Sequence, residues 1–109
     1  MTYDLEFTSE AKQDIDRISA WYLSESKSIE VANRWYDGML NALESLKEFP
    51  ESFSLAGETD EFPYDLRQLL YGSGRHKTHR ALFRIVENTV EVLSIRHLSQ
   101  RDVAPDDVS

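Results

Sequence analysis

There is no cysteine in this chain of 109 residues, which excludes disulfides, thiolate catalysis and cysteine-ligated zinc or iron–sulfur centres. No apolar run approaches the roughly 20 residues of a membrane-spanning helix. Met1-Thr2-Tyr3-Asp4 has neither the charged nor the apolar region of a secretory leader. Internal repeats and low-complexity segments are absent too. Gly72-Ser73-Gly74 lacks the strand–loop–helix setting of a nucleotide loop, and Ser9, Ser24 and Ser73 lack a nucleophile motif. Basic residues are in deficit, with 12 Lys and Arg against 20 Asp and Glu, for a net charge of −8. What is present is a 40% hydrophobic fraction in a chain of a size that buries about two-thirds of its unfolded surface. The expectation is one cytoplasmic domain over residues 1–109, with no membrane association.

The charge is unevenly placed. Residues 64–101 carry a net +4, and the remainder carries −12. Because exposed charges are screened beyond roughly 8 Å, local sign matters more than the total. Tyr3, Leu5 and Phe7 alternate with acids, as in a half-buried strand. Thr8 and Ser9 are N-cap candidates for a helix whose apolar stripe is Ala11, Ile15, Ile18 and Tyr22, ending near Ser24. A second helix starts near Ser28, carries Ile29, Ala32, Tyr36, Met39, Leu43 and Leu46, and is stopped by Pro50 after Phe49. Residues 51–63 form an acidic loop. The period then returns to two in Leu66–Tyr71, Thr78–Val86 and Thr89–Arg96, the last two joined by Glu87-Asn88 as a hairpin. The order β-α-α-β-β-β indicates an α+β fold with a helical hairpin on one face of a small, mostly antiparallel sheet. Residues 98–109 read as a polar tail, either frayed or in contact with a partner.

Alternation on the second of these strands directs Ala81, Phe83 and Ile85 to one face, and Arg80, Leu82, Arg84 and Val86 to the other. Arg67 on the preceding strand is a candidate to join Arg80 and Arg84, and the face of Arg96 depends on register. This cluster is either a solvated face of snorkelling arginines or an anion site for phosphate or acidic side chains. His97, at a strand end, is either structural or a proton-transfer group. His76 and His79 flank Lys77 at a spacing of three, but without a nearby carboxylate they make a poor metal site. No metal or cofactor is expected.

The string Phe7-Thr8-x-x-Ala11-x-x-Asp14-Ile15-x-x-Ile18, then Ala32-x-x-Trp35-Tyr36 and Leu46-x-x-Phe49-Pro50, resembles the RelE/ParE toxin superfamily of type II toxin–antitoxin systems. Leu66-Arg67-Gln68-Leu69, Thr78–Ile85 and Val90–His97 extend the likeness over about residues 3–101, closest to the ParE-like, plasmid-stabilisation branch. The resemblance implies a small toxin neutralised by a cognate antitoxin. RelE-like members cut mRNA on the ribosome without metal, and ParE-like members poison DNA gyrase. Carried over by position, Arg80 would stabilise phosphate, Arg67 would occupy the preceding-strand basic position and His97 would be the acid/base group of a nuclease. Arg67, Lys77, Arg80, Arg84 and Arg96 would form the target- or anion-binding set. The acidic total favours a gyrase inhibitor. An mRNA endoribonuclease and a non-toxic antitoxin-binding protein are the alternatives. Trp21 and Trp35 are expected on the exposed antitoxin-facing surface.

Overall fold

The computed structural model describes residues 2–108. Strand β1 (Asp4–Phe7) leads into helices α1 (Ser9–Ser26) and α2 (Ile29–Glu44), followed by strands β2 (Arg67–Tyr71), β3 (His79–Val86) and β4 (Thr89–His97). The sheet order is β1-β4-β3-β2. β1 runs parallel to β4, with Phe7 opposite Val92, and the other two pairings are antiparallel. The α+β architecture is that indicated by the switch of hydrophobic period.

The helix boundaries follow local chemistry. The Thr8 hydroxyl accepts from the Ala11 N–H at 3.1 Å and donates to the Leu93 carbonyl at 3.0 Å, so one side chain caps α1 and ties it to β4. α1 ends two residues later than the sequence stripe suggests, where Lys27 turns left-handed at φ 55° and closes onto the Leu23 carbonyl. Ser28 caps α2 through the Val31 N–H. α2 itself ends at Glu44. Ser45–Lys47 tightens into a 3₁₀ turn, and Phe49 before Pro50 adopts a left-handed φ of 52° instead of the extended conformation usual before proline. A Cβ at Gly38 on α2 would lie 2.0 Å from the Tyr71 hydroxyl, so a larger residue there must displace the Tyr71 ring.

Between the helices and the sheet lies the main core. It includes Ala11, Ile15 and Ile18 of α1, Trp35, Met39 and Leu43 of α2, and Leu69, Ala81, Phe83, Val90, Val92 and Ile95 of the strands. Trp35 is wholly buried, which corrects the expectation of an exposed Trp35; Trp21 is 57% exposed. Trp35 falls on the apolar stripe between Ala32 and Met39, so helical phase places it inward.

The opposite sheet face is also covered. Ala56, Phe62, Leu66, Leu82, Leu93, Val103 and Val108 form a second core, with Tyr64 packed against it. The C-terminal segment is therefore not a frayed polar tail. Pro105–Val108 makes a 3₁₀ turn held by Arg101, which grips both Asp107 carboxylate oxygens at 2.9 and 3.0 Å. Two valines, spaced among aspartates, are enough to seat the segment. Val103→Ala is expected to lower the unfolding free energy by about 1.5–2.5 kcal/mol, the effect of an interior valine. Urea denaturation measures it, and a change below about 0.5 kcal/mol would mean that the segment is not packed.

Candidate functional site

Strand register assigns each basic candidate to a face. Arg80 lies opposite Arg96 on β4 and Leu70 on β2, and Arg84 lies opposite Glu91. Arg80, Arg84 and Arg96 therefore come together on the face away from the helices. Arg67 pairs with Phe83 and shares the helix-side face, so it does not join them. There its Nη1 donates to the Glu51 and Phe53 carbonyls at 3.1 and 2.8 Å, pinning the loop after α2. Lys77 sits on the exposed turn Ser73–Lys77, apart from the cluster.

The cluster itself is internally partnered. Glu58, 6% exposed, receives Arg80 on both carboxylate oxygens, with Nη1 to Oε1 at 2.8 Å and Nη2 to Oε2. Gln68 Oε1 takes a second bond from Arg80 Nη1 at 3.1 Å, and the Val103 N–H donates to Glu58 Oε2 at 2.9 Å. Arg80 is thus a largely covered structural partner, its side chain 11% exposed, and not the freely exposed side chain that strand alternation suggests. The Arg80 hydrogen bonds hold the Glu58 carboxyl down at about 2. Arg84 donates to Glu91 at 2.7 Å with its guanidinium 4.7 Å from the centre of the Tyr64 ring, and Arg96 donates to the Arg101 carbonyl at 2.9 Å.

At the far end of the sheet, His79 and His97 are direct cross-strand partners with ring centroids 5.1 Å apart. His79 is buried against Trp35 at 5.4 Å and Tyr22 at 6.3 Å. Burial, with a smaller contribution from His97, pushes its pKa down to about 4, so the ring is neutral at pH 7. His76 lies on the exposed turn while His79 is interior, so the two do not converge. Arg17, Ile18, Trp21, Tyr22, Ser99 and Gln100 complete a cavity of about 490 Å³ around the two histidines.

Residues 5–101 match the model of the ParE toxin of type II toxin–antitoxin systems. The chain belongs to the ParE toxin family. This toxin fold is similar to that in the chromosomal ParDE system of P. aeruginosa, with a TM-score of 0.70, 19% identity and coverage of 90% of this chain and 98% of the other. It is similar as well to a free, doubly substituted E. coli RelE (TM-score 0.60, 16% identity, 91% and 86% covered). The RelBE2 toxin–antitoxin complex of Mycobacterium tuberculosis gives a TM-score of 0.60 at 17% identity, covering 92% and 95%. No curated protein matches the toxin in sequence.

Sequence reasoning missed Glu58, although an acidic loop facing a +4 strand module was a readable signal of the pairing. It also missed Asp14, whose carboxylate accepts from the Ser94 hydroxyl and the Ile95 N–H, each at 3.0 Å. That contact covers β4 where β1 has ended.

Two consequences are measurable. Arg80→Ala leaves Glu58 buried without its cation and is expected to cost about 3–5 kcal/mol in unfolding free energy. A loss under about 0.5 kcal/mol in denaturant titration would return Arg80 to the solvated surface. The depressed His79 pKa means that the unfolded chain binds more protons than the native one between pH 6.5 and about 4. Stability therefore falls as pH drops through that window, by up to about 3 kcal/mol at full extent. His79→Phe is expected to flatten this slope in unfolding curves, and an unchanged slope would contradict the assignment.

Proposed function

We propose that this toxin is neutralised by a cognate antitoxin and acts by binding a protein target, DNA gyrase, rather than by cutting mRNA. The observation that carries this reading is the dispersal of the three nuclease candidates. Arg80 lies on the sheet face away from the helices, bound to Glu58. Arg67 and His97 lie on the other face, opposite Phe83 and His79 respectively, partners that stand at the middle and the start of β3. Metal-free RNA cleavage needs a proton-transfer group and a charge-stabilising donor about the same phosphate. These three side chains do not surround a common point.

A binding toxin needs surface instead. The helical hairpin exposes Trp21, Leu23 and Ile29, a source of apolar area for an antitoxin segment. Arg75 and Lys77 on the exposed turn before β3 supply local positive charge for an acidic protein surface, in a chain whose overall charge disfavours the ribosome.

A supercoiling assay with the purified toxin tests the target. Supercoiling by gyrase is expected to fall as toxin approaches the enzyme's concentration, to recover when antitoxin is added, and to be little affected by His97→Gln. Unchanged supercoiling together with mRNA cleavage in a translation extract would reverse the reading. A nuclease would also lose about 10²–10⁴-fold with His97→Gln.

A further inference from the structure

The gyrase reading makes no use of the cavity at the His79–His97 end, yet the hydrogen bonds around it leave donors without acceptors. The Ser99 N–H donates to His97 Nδ1 at 3.0 Å. A backbone N–H can only donate, so the neutral His97 ring carries its own proton on Nε2. The His97 N–H donates in turn to Gln100 Oε1 at 2.8 Å, which fixes the carboxamide oxygen there and leaves its NH₂ as a donor. Neither His97 Nε2 nor the Gln100 NH₂ has a partner among the described residues. Arg17 is the third donor. Its Nη2 reaches Asp14 at 3.1 Å, but the side chain is 60% exposed and its other N–H groups are unpartnered among the described residues. The other Asp14 oxygen is taken by Ser94 and the Ile95 N–H.

Arg17, His97 and Gln100 all line the cavity, with Trp21 and Tyr22 beside them. No carboxylate lines it among the described residues, in a chain that holds 20 Asp and Glu. The Arg17 charge is felt inside. Burial first, then His97, then Arg17 hold the His79 ring below its ordinary pKa. Tyr22 stacks on Trp35 at 5.7 Å and meets the half-exposed Trp21 edge-on at 5.1 Å, so one wall is aromatic. The volume of about 490 Å³ falls within the range of small-molecule sites.

We propose that this cavity binds a carboxylate carried on an apolar stem, its oxygens accepting from His97 Nε2–H, the Gln100 NH₂ and the Arg17 guanidinium, and its stem lying against Trp21 and Tyr22. An ionised carboxylate offers acceptors alone, which complements a guanidinium and two neutral N–H donors. The binding is non-covalent and stands apart from the gyrase and antitoxin readings. The carboxylate belongs to a free organic acid or to an acidic side chain of a polypeptide, since the recognised group is the same.

NMR titration of the purified full chain with phenylacetate and with phenylacetamide tests the proposal, because the two share a shape and differ in charge. Phenylacetate is expected to shift the Trp21 indole and Gln100 side-chain amide signals saturably. Phenylacetamide is expected to bind about tenfold or more weaker, the difference made by hydrogen bonds to a charged group. Gln100→Glu keeps the acceptor for the His97 N–H and puts a negative charge where the NH₂ stood. It is expected to remove the preference for the acid, as is the exposed change Arg17→Gln. Trp21→Ala is expected to weaken both ligands alike. Equal affinity for the acid and the amide, a preference that survives Gln100→Glu, or no saturable phenylacetate binding at millimolar concentration overturns the proposal. Tighter binding of acetyl-Leu-Glu-Leu-amide than of phenylacetate identifies a polypeptide side chain as the source, and weaker binding identifies a free acid.

Discussion

One carboxylate holds three separate parts of this chain together. Glu58 comes from the loop after the helices, Arg80 from the middle of β3, and the Val103 amide from the segment after β4. None is near another in sequence. A buried arginine–carboxylate pair offers little net stability relative to apolar residues of equal shape, but removing one partner is severe, because a charge is left without water or counter-charge. Its value is therefore in specification. Only one placement of the loop and C-terminal segment satisfies all of Glu58's acceptors, and that placement seals Phe62, Val103 and Val108 over Leu82 and Leu93.

That constraint decides what the sheet can do. With helices on one face and this second layer on the other, the β3 and β4 arginines become internal fastenings. Arg84 is held by Glu91 and Tyr64, and Arg96 by the Arg101 carbonyl. The surfaces left to partners are the outer hairpin, the basic turn before β3 and the histidine-lined cavity.

Much of the fold was legible because period alone carries it. The stripe of Ala11, Ile15 and Ile18, the Ser28 cap and the alternation of Ala81 and Phe83 all rest on local geometry, and the structure follows them. The family likeness was legible from the same positions, and the family match confirms it. The second layer was not, because residues 51–63 and 98–109 have no period and their apolar residues are too few to stand out among acids. The site was legible as residue types only. Arg67 and Arg80 sit on opposite faces because register pairs Arg67 with Phe83, and strand register cannot be read from either strand by itself. Arg80's partner is 22 positions away, beyond any local rule.

Native-state hydrogen exchange at the Val103 amide tests the tripartite clamp most directly. This N–H lies outside any helix or strand and has one acceptor, the Glu58 carboxylate. The account predicts that it exchanges slowly in the parent protein, and that Arg80→Met accelerates it far more than it accelerates amides of α2. Exchange of the Val103 amide at the rate of an unstructured chain in the parent protein would contradict the clamp, and with it the assignment of Arg80 to structure.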